Sequence, residues 1–395
     1  TSVPRRLGRM SQLLEDLMDM VRCASVNPFE KPIPTPAPEE AMAQLYTAKL
    51  EALGLRVETV EVRDGRRNVW ARLPGSGGGP TVMLAGHMDT VDVEGYDQPF
   101  EPFLKDGKVH GRGACDMKAG LAAYLEVIRR LQASGETLAG DLIIAGVVDE
   151  EYAMLGSEHF GLNGPKIDHA IIAEPSELEI CPVHKGQICF GMKTEGVSVH
   201  SSLPHKGINA IYHMARVITA LEDYAASLND REPHAMAGRP TFTVSVINGG
   251  KGVSSVPDLC ELEFDRRTIP GEDHDAVRAE IKAVIDGVAA EIPEMKWSFV
   301  EASLDVPALG TPKQAPTVVA LQEATAAVLG EASPIRSFTG STDAPNFRCE
   351  AVICGPGALA QCHSLNEWVE LEQIEQAVDI YLGAIRALQP QATHA

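Results

Sequence analysis

Residues 141–151 read Asp141-Leu142-Ile143-Ile144-Ala145-Gly146-Val147-Val148-Asp149-Glu150-Glu151. A continuous apolar run of this kind is the signature of a strand buried on both faces, as in parallel sheets covered by helices. The run stops abruptly in three acids. Two other stretches repeat the pattern. Leu84-Ala85-Gly86 runs into His87-Met88-Asp89, and His169-Ala170-Ile171-Ile172-Ala173 runs into Glu174-Pro175. In parallel α/β sheets, sites lie outside the carboxyl ends of the strands. His87, Asp89, Glu150, Glu151 and Glu174 all fall at such ends. Residues i and i+2 of an extended backbone point to one side, so His87 and Asp89 share a face. An imidazole beside a carboxylate is what a metal ligand and its orienting partner require.

Outward from this core, the chain alternates helices with strands. Met117, Leu121, Tyr124, Leu125, Ile128 and Leu131 recur at helical spacing, which places Asp116 at a helix N-terminus, where an N-cap is its simplest role. Apolar positions in 11–22 predict a helix opened by Ser11, and Pro38–Leu53 predicts another stopped by Gly54. Asp64-Gly65 reads as the turn of a hairpin. From Gly186 the order changes to strand (187–193), helix (208–228), two strands (241–247 and 259–265), helix (273–292) and strand (296–303). That is the β-α-β-β-α-β order of a split ferredoxin-like unit. The expected fold class is therefore α/β. Residues 1–185 and 304–395 form one α/β domain, and residues 186–303 form an inserted ferredoxin-like α+β domain.

Composition narrows the partners. The 395 residues carry 34 Lys+Arg against 55 Asp+Glu, a net charge of −21. Such an excess of acid argues against nucleic acid or an anionic membrane as partner. The eight cysteines are dispersed and form no C-x-x-C pair, as expected of reduced thiols in a cytoplasmic protein. Cys362, beside His363, reads most simply as an inert buried thiol. No apolar stretch follows Arg5-Arg6 to make a signal peptide, and no run approaches the ~20 residues of a membrane span.

Six motifs stand in order: Gly86-His87-Met88-Asp89, Gly111-Arg112-Gly113-Ala114-Cys115-Asp116-Met117-Lys118, Asp149-Glu150-Glu151, Glu174-Pro175, Val199-His200-Ser201-Ser202, and Gly355-Pro356-Gly357 with His363. Together they resemble the metal-dependent family that includes acetylornithine deacetylase, succinyl-diaminopimelate desuccinylase, aminoacylase and glutamate carboxypeptidase. The resemblance implies a mixed-sheet α/β catalytic domain with helices on both faces (1–185 and 304–395), an inserted lid or dimerisation domain (186–303), and a two-metal site. His87 and Glu174 bind one metal, Glu151 and His363 the second, and Asp116 bridges them through a residue whose following peptide is cis. It makes Glu150 the general base, Asp89 the support of His87, and His200 an oxyanion-stabilising residue, acting in cis or from a partner subunit of a homodimer. It makes Arg267 the grip on a substrate carboxylate, with the neighbouring Arg266 as the competing choice.

The chemistry agrees with this set. Two metals about 3.5–4 Å apart lower the pKa of a shared water and polarise a carbonyl. Two imidazoles with three carboxylates suit Zn²⁺, with Co²⁺ or Mn²⁺ as substitutes. Neighbouring Glu150 and Glu151 diverge, so one ligates while the other moves a proton. The expected activity is hydrolysis of a C–N amide bond in a small carboxylate-bearing N-acyl amino acid. The alternatives are a carboxypeptidase or dipeptidase, a hydrolase of an unusual C–N bond, and a non-catalytic metal-binding homologue. Two segments that border the substrate in relatives depart from their pattern. Ser254-Ser255-Val256-Pro257 lacks the asparagine common before the proline, and Pro345 stands where arginine is frequent.

Overall fold

The computed structural model describes residues 3–29 and 31–389. They form two compact units: the described residues up to Pro182 with Thr311–Phe338 and those from Thr342 onward, and Val183–Gly310 with Thr339–Ser341.

In chain order, the first unit opens with α1 (Val3–Arg22), α2 (Pro38–Ala52), β1 (Arg56–Arg63), β2 (Arg66–Leu73) and β3 (Val82–His87). It continues with α3 (Ala119–Ser134), β4 (Leu142–Val147), α4 (Leu155–Asn163), β5 (His169–Pro175) and β6 (Ile180–His184). The second unit carries β7 (Gly186–Glu195), α5 (Ala210–Ser227), β8 (Thr241–Gly249), β9 (Leu259–Thr268), α6 (His274–Ala290) and β10 (Lys296–Val306). The chain then returns through α7 (Pro316–Leu329), β11 (Glu350–Gly355) and α8 (Leu371–Leu388). Helix α1 starts at Val3, so Ser11 lies inside it rather than at its start. None of the described helices is long and apolar enough to cross a membrane.

The first unit's sheet runs β1-β2-β4-β3-β5-β11-β6. Strands β4, β3, β5 and β11 are parallel, while β1, β2 and β6 are antiparallel to their neighbours, so the sheet is mixed. Every residue of β3 and β4 is buried, which means both faces are covered, as their unbroken apolar runs demand. Helices pack in the series α1-α3-α8-α7. Tyr124 of α3 anchors that layer by donating its hydroxyl to the Ala85 carbonyl at 2.9 Å. Parallel register puts His87 opposite Val147 and Pro175 opposite Gly355, so the ends that carry chemistry open on one edge.

The second unit's sheet is fully antiparallel in the order β8-β9-β7-β10, the ferredoxin-like arrangement. Asn209 caps α5 by accepting from the Ile211 and Tyr212 N–H groups, and Asp273 caps α6 by accepting from Ala276. Strand β9 alternates strictly. Leu262, Phe264 and Arg266 face the core, while Glu261, Glu263 and Asp265 face outward. Phe190, Phe242 and Phe264 pack there in edge and tilted contacts.

Gly355 closes the first sheet against the strand end that bears Glu174. A Cβ at this position would run into the main-chain carbonyl oxygens of Ala173 and Glu174. Backbone atoms on a central strand have no side-chain freedom with which to yield. Gly355→Ala is expected to destabilise the protein by about 1–3 kcal/mol, read as a lower denaturation midpoint.

Candidate metal centre

Asp116 reaches its place through a wide turn, Ala114–Lys118. Gly113 opens it at φ 83°, and a Cβ there would meet Thr90 Cγ2 at 2.9 Å and Lys118 Cδ at 3.0 Å, so only glycine fits. The Asp116–Met117 peptide is cis, as the resemblance implies. Helix α3 begins only at Ala119. Asp116 is therefore not the helix N-cap that its spacing suggested. Its backbone is extended (φ −117°, ψ 97°), and its carboxylate turns away from the helix towards two imidazoles.

Asp116 Oδ1 lies 3.0 Å from His87 Nε2, and Oδ2 lies 3.6 Å from His363 Nε2. Glu174 Oε1 is 3.7 Å and Glu150 Oε2 3.9 Å from the same His87 nitrogen. Glu151 Oε2 is 3.2 Å from His363 Nε2. His87 Nδ1 donates to the Asp89 carbonyl at 3.0 Å; because a carbonyl only accepts, Nδ1 carries a proton and Nε2 is the nitrogen turned to Asp116. The Asp89 carboxylate stands 3.7 Å from that ring. It accepts instead from the main-chain N–H groups of Glu150 at 3.2 Å and Glu151 at 3.1 Å. Its support of His87 is thus made through the main chain, while its side chain fixes the two glutamates.

Around these residues lies a layer that sequence reasoning missed. Asn27 Nδ2 donates to Asp89 at 2.7 Å and to Asp149 at 3.1 Å. Arg66 pairs with Asp149 at 2.7 Å and with Glu39, all three side chains buried. Buried Glu367 accepts four hydrogen bonds from residues 112–116. Asp343, also buried, acts electrostatically on Glu150 and Glu174. Apart from Asp149, which stands in the Asp149-Glu150-Glu151 motif, none of these positions carries a motif of its own, although Glu367 follows His363 closely enough to have invited attention.

Negative charge dominates. Burial raises the carboxyls of Glu150 and Glu174 well above their ordinary range, and pushes Glu151 and Asp343 up to about 7. Burial opposes protonation of His87, but Glu174, Asp116 and Glu150 reverse that and hold its pKa well above the usual imidazole value. Hydrogen bonds to Asp116 and Glu151 lift His363 to about 10. Burial would raise Asp116 too, yet the bonds from His363 and His87 keep it below the carboxylate range. The donor set fits divalent cations. Ligand atoms of His87, Asp116 and Glu151 lie within 4.8 Å of one another, and Glu174 Oε1 is buried without a hydrogen-bond partner.

Residues 83–387 match peptidase family M20/M25/M40. The chain belongs to that family. It is a hydrolase of amide bonds. Over 352 residues it is 32% identical to acetylornithine deacetylase of Proteus mirabilis, spanning 85% of this chain and 87% of that protein. Its fold superposes on aminopeptidase PepT of Bacillus cereus with a TM-score of 0.76 at 21% identity, covering 96% of this chain and 98% of the other. A dinuclear metal-binding M20 peptidase of Bacillus subtilis superposes with a TM-score of 0.69 at 17% identity, covering 96% and 98%.

The second unit carries the other candidate residues that the resemblance implies. His200 is exposed, its Nδ1 2.7 Å from Ser202 Oγ. Arg267 is partly exposed, donating from Nε to Asp265 at 2.9 Å. Arg266 has no exposed side-chain surface and pairs with Glu272 at 2.6 Å, so its charge serves the core. All eight cysteines are free. Cys362 is half-buried, and a hydrogen bond with Cys115, followed by burial, pushes its thiol up.

Arg66 is the cation that separates Glu39 from Asp149 behind the Glu150–Glu151 turn. Removing one partner leaves uncompensated buried charge, so Arg66→Ala is expected to lose about 3–5 kcal/mol of stability, measured by chemical denaturation.

Proposed function

We propose that this chain is a dinuclear metal-dependent deacylase that cleaves the amide of a small carboxylate-bearing N-acyl amino acid. The observation that carries the reading is the two-sided placement of Asp116, with Oδ1 towards His87 and Oδ2 towards His363. His87 and Glu174 would hold one cation, Glu151 and His363 the other, with Asp116 shared. Zn²⁺ suits this mix of imidazole and carboxylate, and Co²⁺ or Mn²⁺ would substitute. When bound, such cations supply Lewis acidity and make a water acidic enough to attack at neutral pH.

Glu150 takes the proton from the attacking water and delivers it to the leaving nitrogen. Its carboxyl, raised by burial, is suited to both halves of that task. Asp89 keeps Glu150 and Glu151 in their separate roles by accepting from both main-chain N–H groups. His200 is assigned to the developing oxyanion and Arg267 to the substrate carboxylate, which a guanidinium grips in a bidentate pair. The likeness to an acetylornithine deacetylase supports the acyl amino acid over a peptide. We assign the enzyme to the cytoplasm, in keeping with its free thiols. We further assign it a homodimeric state, for which the exposed Val246 and Ile247 of strand β8 offer an unpaired edge.

Glu150→Ala is expected to retain both cations while losing ~10²–10⁴-fold in kcat, measured with metal content determined on the same sample. Retained turnover would refute the base assignment. Chelation is expected to abolish hydrolysis of N-acetyl amino acids, and Zn²⁺, Co²⁺ or Mn²⁺ to restore it. Restored cleavage of dipeptides alone would transfer the assignment to a dipeptidase.

A further inference from the structure

Glu367 lies four residues beyond His363, has no exposed surface, and meets Asp116 through that residue's main-chain N–H. It nonetheless makes more directed contacts with the Asp116 loop than any ligand does. Oε2 accepts from Arg112 Nη1 at 2.7 Å and from the Gly113 N–H at 2.9 Å, while Oε1 accepts from the Cys115 N–H at 2.7 Å and the Asp116 N–H at 3.0 Å. Its own carbonyl accepts from the Gly111 N–H at 3.1 Å. Its N–H donates to the Tyr96 hydroxyl at 3.2 Å. The carboxylate thus ties the start of the Asp116 turn to the segment that leaves His363.

The two halves of the metal centre depend on this tie unequally. His87 ends an interior strand in parallel register with Val147, and Glu174 is carried by β5 at a register shift between the paired Ile172 and Pro175. His363 is in a loop, its side chain 59% exposed and its backbone left-handed at φ 60°. Asp116 also depends on its turn rather than on a strand. A cation held by His87, Glu174 and Asp116 has two ligands set by the sheet. A cation held by Glu151, His363 and Asp116 has two ligands set by loops that meet at Glu367.

Resting on the dinuclear reading above, we infer that Glu367 is a positioning residue that sets the affinity of the Glu151–His363 cation position and leaves that of the His87–Glu174 position largely untouched. A carboxylate suits the task because it offers four acceptor sites and no donor, and four donors converge on it. An amide at this position would turn an N–H₂ group against two of those donors.

The test is calorimetric titration of the chelator-stripped full chain with Zn²⁺, comparing wild type with Glu367→Gln and Tyr96→Phe. For Glu367→Gln the weaker of two Zn²⁺ sites is expected to lose about 10–100-fold in affinity, with the tighter site unchanged. Tyr96→Phe keeps the carboxylate but removes the hydroxyl that holds residue 367. It should weaken the same site by less, and it carries the test if Glu367→Gln does not fold. Co²⁺ absorption gives a second readout, with loss of one of two spectral components expected. Unchanged affinity at both sites, or equal weakening of both, overturns the inference. A wild-type chain that takes up only one cation overturns the dinuclear reading and this assignment together.

Discussion

The Asp116 carboxylate faces two imidazoles that come from opposite ends of the chain, and the rest of the site is arranged around that fact. His87 approaches from an interior strand and His363 from a late loop. One carboxylate can serve both only if its backbone turns out of the helix that follows. The left-handed Gly113 and the extended Asp116 provide that turn. Had Asp116 capped α3, one oxygen would have been committed to a main-chain N–H and lost to the site.

Buried charge is costly unless paired and hydrogen-bonded. The first unit meets this condition in two ways. Outside the centre, acids find donors in the protein itself: Asp89 in two main-chain N–H groups and Asn27, Asp149 in Arg66 and Asn27, Glu367 in Arg112 and three main-chain N–H groups, and Glu39 in Arg66 through one oxygen, its Oε2 being left without a partner. Inside it, Glu150, Glu151 and Glu174 have too little positive charge among the protein's own residues, which is why burial dominates their titration. The same side-chain type is structural in one shell and available to ligands in the next. What separates them is the number of converging donors.

The second unit handles charge more simply. Strict alternation along β9 sends Arg266 inward to Glu272 and leaves Arg267 on the opposite face with Asp265. A single residue of register separates a core ion pair from a partly exposed one.

The local pattern of the chain was sufficient for much of this. Runs such as 142–148 have nowhere to go but the middle of a covered sheet, and the β-α-β-β-α-β order leaves few alternatives to a ferredoxin-like unit. Acids and histidines at strand ends were legible for the same reason, since strand periodicity and register are properties of the local sequence. The turn at Asp116 was not legible. Helical spacing from Met117 onward favours a cap, and only packing of Gly113 against Thr90 and Lys118 decides otherwise. Nor was the supporting layer. Asn27, Arg66, Asp149 and Glu367 lie far from their partners along the chain, and hydrogen bonds between such residues leave no periodic trace. Sequence alone determined which residues stand at the mouth of the sheet; tertiary structure decided what each carboxylate there is bonded to, because only folding brings its donors within reach.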